Sequence, residues 1–496
     1  MTALAGFEQS AYRRDYFMAG RNRYNSDILD ELFAGDADKT YFSATGQAWE
    51  TARRSFFGRV GYDYDSKYLF QAIFRYDGSE NFPSDRRWGF FPGVSVGWRL
   101  SEESFIKDSL PWLTNLKLRA SFGEQGNDQI SAFQFLTTYQ YESGSAYKLM
   151  LDGKEVSMII PGTIPNTEVT WEVARTWNVG LDGSIKNGLL TWELEWFRTR
   201  RSNILTSRNA SIPYYTGMTS KLPDENIGIV RNAGIELQLG HERKVGSLMY
   251  HVTGNFMYAK NTIEFMDEAP WPEGHDYMKL EGLPMGSGLY YHVLGVFKTQ
   301  EELDSYPHKT GATLGDLKYE DMDGDGEITT LDRYRSPFSS IPQIVYGINF
   351  DARWRNFDFS MLLQGQGRVR FYYAPLMDPV SYNVEKEAAE KAWTLDNPDS
   401  DWPRLGSTNS LGSTNRSDFY IKNAAFLRLK NLELGYTLPK KWFGPKTGIR
   451  NVRFYIGGYN LLTFSQLKSV DPENNDEGYQ TYPQMKIYNA GVKVMF

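Results

Sequence analysis

A twelve-residue stretch, "DMDGDGEITTLD" from Asp321 to Asp332, has the residue types and spacing of a calcium-binding loop. Aspartates occupy positions 1, 3 and 5, glycine occupies position 6, and an aspartate stands at position 12, where an EF-hand loop has glutamate. The predicted ligands are the carboxylates of Asp321, Asp323, Asp325 and Asp332 and the main-chain carbonyl of Glu327. These hard oxygen ligands favour a structural Ca²⁺, with Mg²⁺ as the alternative, and a solvated turn without metal stays open.

The residues on either side of this loop do not predict the paired helices of an EF-hand. The preceding "TLGDLKYE" is typical of extended structure, and Pro337 follows soon after the loop. We therefore expect an isolated loop within a long connection, residues 263–340. A cation bound there would hold the connection in one shape and would take no part in catalysis.

The other chemical motifs do not predict an enzyme. "GVSVG" at 93–97 matches a nucleophile elbow, but Ser95 falls inside an alternating, strand-like segment instead of a strand-to-helix turn. Glu193 and Glu195 could serve as the paired carboxylates of glycoside hydrolysis, although at this spacing on a strand they would equally line a wet lumen. The chain has no cysteine and five scattered histidines, which excludes thiolate catalysis and cysteine-based zinc sites. No catalytic residue is predicted.

The composition is typical of β-structure that has one face in an apolar environment. The 496 residues carry 54 basic and 61 acidic side chains, a net charge of −7, which argues against a nucleic-acid partner. Aromatic residues are frequent (32 Tyr, 30 Phe and 13 Trp), yet no apolar run approaches the ~18 residues of a membrane helix. A transmembrane β-barrel combines these properties, because only one face of each strand meets lipid.

Alternation of side-chain character with a period of two marks the strands. In the last nine residues, "YNAGVKVMF", the apolar residues of one face alternate with Gly491, Lys493 and Met495 on the other. Together, such segments predict an all-β fold, an antiparallel transmembrane β-barrel with about 14 strands in this chain. They lie near residues 4–15, 53–62, 67–77, 88–100, 115–123, 172–185, 191–197, 226–240, 247–262, 341–354, 356–364, 421–438, 449–465 and 484–496.

The connections between these segments alternate between short and long. The short ones are 63–67, 101–111, 185–188, 241–246, 354–356 and 439–448, and the long ones are 16–52, 78–87, 125–171, 203–225, 263–340, 372–420 and 466–483. Outer-membrane barrels have short periplasmic turns and long extracellular loops, so this alternation predicts a multi-pass protein of the outer membrane. It also places Phe496 at the periplasmic end of a strand, as an aromatic barrel-insertion signal. An ordinary core strand that happens to be last is the alternative.

Seven segments, spread over most of the chain, form a recognisable series. They are "FFGRVGYDYDSKYLFQAIFRYDGSENF" (56–82), "LPWLTNLKLRASFGEQGN" (110–127), "NIGIVRNAGIELQL" (226–239), "LEGLPMGSGLYYHVLGVFKTQEEL" (280–303), "GDLKYEDMDGDGEITTLDR" (315–333), "FLRLKNLELGYTLPKKW" (426–442) and "FYIGGYNLLTFS" (454–465). Together they resemble the SusC-like TonB-dependent transporters of Bacteroidota. The resemblance implies a barrel of about 22 strands, of which residues 1–496 would be the C-terminal portion. The N-terminal plug, the TonB box and about eight strands would then come from an upstream part of the same protein or from a second polypeptide.

The same resemblance implies the function and the partners. The chain would be part of a TonB-dependent importer of oligosaccharides or peptides, working with a SusD-like surface lipoprotein as a lid and with the TonB complex through the plug. The substrate would lie between the outer mouth and the lid, where long loops carry candidate contacts at Tyr290, Tyr291, Tyr372 and Tyr373. The alternative from a different class is a secreted, soluble, β-rich glycan-binding protein or glycoside hydrolase.

Overall fold

Fourteen strands form one antiparallel sheet in which every strand pairs with its neighbours in chain order. The computed structural model describes residues 1–141, 148–151, 153–208, 221–373, 383–411, 415–443, 448–474, 482 and 484–496. The sheet strands are β1 (Thr2–Arg21), β2 (Phe42–Tyr64), β3 (Tyr68–Ser79), β4 (Trp88–Arg99), β5 (Leu113–Asn127), β10 (Glu172–Ile185), β11 (Leu190–Thr206), β12 (Glu225–Val245), β13 (Leu248–Phe265), β18 (Ile344–Trp354), β19 (Phe357–Gly367), β22 (Phe426–Thr437), β23 (Asn451–Ser465) and β24 (Ile487–Met495). The predicted strand count and antiparallel order are confirmed.

The shorter elements all lie in connections. The strands are β6 (Tyr139–Tyr141), β7 (Lys148–Leu151), β8 (Lys154–Ser157), β9 (Ile159–Pro161), β14 (Leu289–Tyr291), β15 (Val293–Val296), β16 (Leu317–Tyr319), β17 (Arg333–Arg335), β20 (Arg370–Tyr372) and β21 (Ile421–Asn423). The α-helices are α1 (Ser104–Lys107), α2 (Gln300–Ser305) and α3 (Lys386–Lys391). Among the described residues, none of the helices has both the length and the apolar character needed to cross a membrane.

The two faces of the sheet differ in chemistry because side chains alternate along each strand. On β11, Leu194 and Trp196 point outward and are 43% and 44% exposed. Glu195, between them, points to the inner face, where it pairs with Arg119 of β5. Arg119 also donates to Asp182 of β10 at 3.0 Å. An apolar outer face and an ionic inner face are what a barrel wall between lipid and water requires.

Most connections sort by length between the two ends of the sheet, as the sequence predicts, although residues 80–87 at one end form a shorter connection than residues 100–112 at the other. At one end the strands are joined tightly, for example by the two residues between β12 and β13, where Gly246 takes a positive φ of 60°. At the other end, called the outer end below, lie the long connections with the short strands β6–β9, β14–β17, β20 and β21. Parts of the predicted connections 125–171, 203–225, 372–420, 439–448 and 466–483 lie outside the described residues.

The first long connection is much shorter than the sequence predicts. Instead of spanning 16–52, it spans 22–41, because β1 and β2 pair without interruption from Thr2↔Gly61 to Arg21↔Phe42. The outer half of this hairpin is exposed on both faces, so its residues lack the apolar alternation by which a strand is recognised. Cross-strand hydrogen bonding extends the two strands beyond the apolar pattern.

Each terminal strand of the sheet has one partner among the described residues. β1 pairs with β2, β24 pairs with β23, and β1 and β24 do not pair with each other. Phe496 follows β24 with its side chain 77% exposed, in phase with the outward-facing Val492 and Val494. Its role as an insertion signal stays a prediction.

Candidate functional site

Two outer connections, residues 266–343 and 368–425, pack against each other and are called the outer unit here. The main-chain N–H of Tyr291 donates to the carbonyl of Arg416 at 3.0 Å, which joins the two connections. The fully buried Asp316 accepts from Nε of Arg404 at 2.8 Å, which joins them again. The shared apolar core consists of Tyr290, Tyr291, Val296, Leu317, Tyr319, Ile328, Tyr372, Ala388, Trp393 and Tyr420. The two long connections thus form one packed unit with a shared apolar core at the outer end of the sheet.

The predicted metal loop lies at the edge of the outer unit. Carboxylate oxygens of Asp321, Asp323 and Asp325 come within 4.8 Å of one another. Two oxygens on opposite sides of a Ca²⁺ ion, each about 2.4 Å from it, are also about 4.8 Å apart, so this spacing suits the ion. Gly326 has a φ of 87°, which a residue with a side chain rarely adopts, and this turn brings the three carboxylates together. Ile328 anchors the loop in the aromatic core.

Asp332 closes the loop by hydrogen bonds to the main chain. It is fully buried, and its two carboxylate oxygens accept the N–H groups of Met322 at 2.8 Å and Thr329 at 2.7 Å. Within the described part of the chain, the carboxylates close enough together to hold a metal ion are those of Asp321, Asp323 and Asp325, and Asp332 is not among them. Ligation by Asp332 and by the Glu327 carbonyl therefore stays a prediction, while the structural role of Asp332 is visible.

A histidine from another part of the outer unit contacts the loop. Nε2 of His275 lies 3.1 Å from Oδ2 of Asp323. This hydrogen bond raises the pKa of His275 and lowers the pKa of Asp323. Nearby, burial and the negative charge of the surrounding aspartates raise the pKa of Tyr277 to about 12. The electrostatic environment of the loop is therefore negative, as a cation site requires.

The donor set fits a hard divalent cation. Three carboxylates would hold it, and every one of them already accepts a main-chain N–H within the loop, which fixes its orientation. Such an ion would neutralise like charges that otherwise repel one another. Its contribution would be to hold one conformation of the loop, which is attached to the outer unit through Ile328.

The four tyrosines proposed as substrate contacts are buried. Tyr290 packs on Tyr372 with ring centroids 5.8 Å apart, and Tyr291 packs on Tyr319 at 4.8 Å. Tyr373 belongs to a separate small core with Val369, Phe371 and Ala424. All four tyrosines are between 1% and 8% exposed, so their rings are occupied mainly by packing within the protein. Their contact with substrate stays a prediction.

A half-buried lysine in the outer unit, Lys309, is not recognisable from sequence. The ammonium of Lys309 lies 3.7 Å from the ring centroid of Tyr291 and 5.2 Å from that of Tyr319, and it donates to Asn415 at 2.6 Å. Burial lowers the pKa of Lys309 to about 8. Its partners are distant in sequence, as His275 is distant from Asp323, and no local pattern indicates either contact.

A buried cation, Arg428, lies on the inner wall near the outer end. Arg428 of β22 is 2% exposed. Its guanidinium donates to Thr463 at 2.9 Å, to Gln484 and Asp471 at 2.7 Å each, and also to Glu473. It thereby ties the connection between β23 and β24 to the barrel wall.

Comparison with known protein families gives one match over nearly the whole chain. Residues 3–461 match the family model described as "TonB dependent receptor-like, beta-barrel". The TonB-dependent receptor P3 of Formosa agariphila is 30% identical over 481 residues, which cover 90% of this chain and 46% of that protein. The TonB-dependent receptor SusC of Bacteroides thetaiotaomicron is 26% identical over 515 residues, covering 99% and 48%. The chain thus spans about half the length of the curated relatives that it matches.

Solved structures show the same architecture. The RagAB peptide importer in its "open-open" state superposes with a TM-score of 0.81 at 23% identity, covering 100% of this chain and 52% of that one. A second RagAB structure, described as a peptide transporter, gives a TM-score of 0.80 at 24% identity, covering 99% and 53%. At this level of identity the likeness concerns the fold alone.

Proposed function

The chain belongs to the family of TonB-dependent receptor-like β-barrels, which are outer-membrane proteins, and from this premise we propose that it forms the barrel wall and outer loops of an active importer of oligosaccharides or peptides. The observation that carries the proposal is the fourteen-stranded sheet with an apolar outer face and an ionic inner face. Such a wall separates lipid from a polar passage. In this role the chain moves its substrate without breaking bonds.

The open edges of the sheet support a partner segment. Among the described residues, the outer edges of β1 and β24 have no strand partner. Unpaired main-chain groups cannot face lipid, because no water is available there to satisfy them. We propose that a further polypeptide segment, on the same chain or another, supplies the remaining strands and the plug. The plug would connect the barrel to the TonB complex, through which the inner-membrane proton gradient would drive import.

The outer unit supports a lid partner. It is a packed layer at the barrel mouth, with its own aromatic core, and can present a fixed surface. We propose that this surface meets a SusD-like lipoprotein and that substrate is held between the two. A Ca²⁺ ion bound by Asp321, Asp323 and Asp325 would fix one edge of the surface, with Mg²⁺ as the alternative.

Uptake in the native host tests the proposed function. Deleting the reading frame should abolish uptake of one class of labelled ligand, drawn from separate pools of oligosaccharides and peptides. Collapsing the proton gradient in the wild-type strain should abolish the same uptake, and a restored copy should recover it. Unchanged uptake of both pools in the deletion strain would refute import by this protein.

A further inference from the structure

The outward faces of the first four strands carry an aromatic row. Its members lie opposite one another across β1 to β4 and are Phe7, Phe56, Tyr76 and Phe90. They lie on the same face of the sheet as the other exposed apolar side chains. The rings of Phe7 and Phe56 are 5.1 Å apart. Toward the outer end the next aromatic ring is Trp88, which stacks on Tyr76 at 4.8 Å. A row of this kind marks the outer edge of the apolar band of a barrel, where lipid headgroups begin.

The next row toward the outer end contains a cleft. Its members are Gln9, Arg54, Gly78 and Trp88, again aligned across the four strands. The Trp88 ring packs over Gly78, where an added Cβ would come within 2.9 Å of it, so the ring forms one wall of the cleft. The cleft has a volume of about 700 Å³. It is lined by Gln9, Ala52, Arg53, Arg54, Gly78, Glu80, Arg87 and Trp88.

The cleft holds two guanidinium groups that have no acidic partner within the described residues. Arg54 donates through Nε to the side chain of Gln9 at 3.2 Å and forms no ion pair there. Nε of Arg87 is buried and has no hydrogen-bond acceptor within the same residues. Arg53, by contrast, is neutralised by Asp128 at 2.7 Å. Glu80 contributes one carboxylate, one oxygen of which is buried without a donor among the described residues. Two guanidinium groups without an acidic partner against one carboxylate leave the cleft with a net positive charge.

We propose that this cleft binds the phosphate-bearing headgroup of a lipid in the outer leaflet. Arginine guanidinium groups bind phosphate through paired, charge-assisted hydrogen bonds. Among the described residues, no acidic side chain competes for Arg54 or Arg87, and Arg54 keeps both terminal nitrogens for a phosphate while its Nε donates to Gln9. The lipid's acyl chains would run down over the aromatic row of Phe7, Phe56 and Tyr76. Free phosphate would gain the charge contacts alone, whereas a lipid gains both, because the cleft lies directly above the apolar band.

The charge-removing variant Arg54→Gln/Arg87→Gln tests the site. The protein, assembled with its remaining strands in nanodiscs, is offered phosphorylated lipid A, the same lipid A after dephosphorylation, and inorganic phosphate. Each arginine near a charged headgroup layer contributes about five-fold in affinity, so the double variant should retain roughly 25-fold less phosphorylated lipid A by native mass spectrometry. Wild-type protein should prefer phosphorylated over dephosphorylated lipid A.

A matched control separates the site from general surface charge. Arg13→Gln/Arg14→Gln removes two positive charges from the same hairpin, farther out, where Arg13 is already paired with Glu50 at 2.9 Å. This variant should retain lipid A as the wild type does. The proposal would be overturned if the two double variants retained equal amounts of phosphorylated lipid A, or if the wild type retained the two forms of lipid A equally. Inorganic phosphate that competes for the cleft as strongly as the lipid would also overturn it. Arg54→Lys/Arg87→Lys keeps the charge without the paired geometry and should give intermediate retention.

Discussion

Replacing Arg428 by alanine should release the connection between β23 and β24 from the barrel wall. Arg428 is 2% exposed and neutralises Asp471 and Glu473, which are themselves largely buried. Removing one member of a buried ion pair costs about 3–5 kcal/mol, because the remaining charge is left without compensation. The lower end of that range applies here, since Lys430 still donates to Glu473 at 2.9 Å.

The expected loss of about 3 kcal/mol corresponds to a roughly 100-fold larger population of the opened connection. Limited trypsin digestion measures this population through the rate of cleavage after the exposed Lys468, provided that closing is fast relative to cleavage. The variant should be cut about 100 times faster than the wild type, while its heat-modifiable mobility as a folded barrel is kept.

The triple variant Arg428→Met/Asp471→Asn/Glu473→Gln provides the control. It removes the buried acids together with their buried cation, so the only charge that loses its partner is that of Lys430, which is 29% exposed and keeps access to water. Most of the wild-type resistance should therefore return. Lys430→Met breaks a more exposed pair and should change the cleavage rate less than five-fold. Wild-type cleavage of Arg428→Ala would refute the reasoning, as would a triple variant cut as fast as the single one.

The remaining predictions concern the outer unit. In the wild type, millimolar Ca²⁺ should protect this unit against proteases, and Asp323→Ala/Asp325→Ala should abolish that protection. The control Asp304→Ala, which removes an exposed acid on α2, should keep it. Protease resistance of the wild type that does not change with Ca²⁺ would count against the metal site. Tyr291→Ala should destabilise the unit by about 3–5 kcal/mol, whereas Tyr291→Phe keeps the packed ring and should be tolerated. An alanine variant that folds and resists proteases as the wild type does would contradict the packing role. Because burial lowers the pKa of Lys309 to about 8, the unfolded unit binds more protons than the folded one between about pH 8 and 10, so its stability should rise with pH in that window. Lys309→Met should remove this rise, and an unchanged pH profile in that variant would assign the effect to another group.

The sequence by itself determined the strands, their order and the ends at which long and short connections lie. These features depend on local signals: a period of two along each strand and turn residues between strands, both visible within about ten residues. The spacing of Asp321, Asp323, Asp325 and Gly326 is equally local, and the structure brings the three carboxylates together.

Tertiary structure alone decided which groups meet across long stretches of chain. The contact of His275 with Asp323 spans 48 residues, and that of Arg428 with Asp471 spans 43. The full length of the β1–β2 hairpin likewise depends on cross-strand hydrogen bonds and not on side-chain pattern. Three of the tyrosines suggested as substrate contacts, Tyr290, Tyr291 and Tyr372, are buried because two separate connections pack together around them. A periodic pattern records which face of a strand is apolar, whereas it holds no information about which distant residue covers that face.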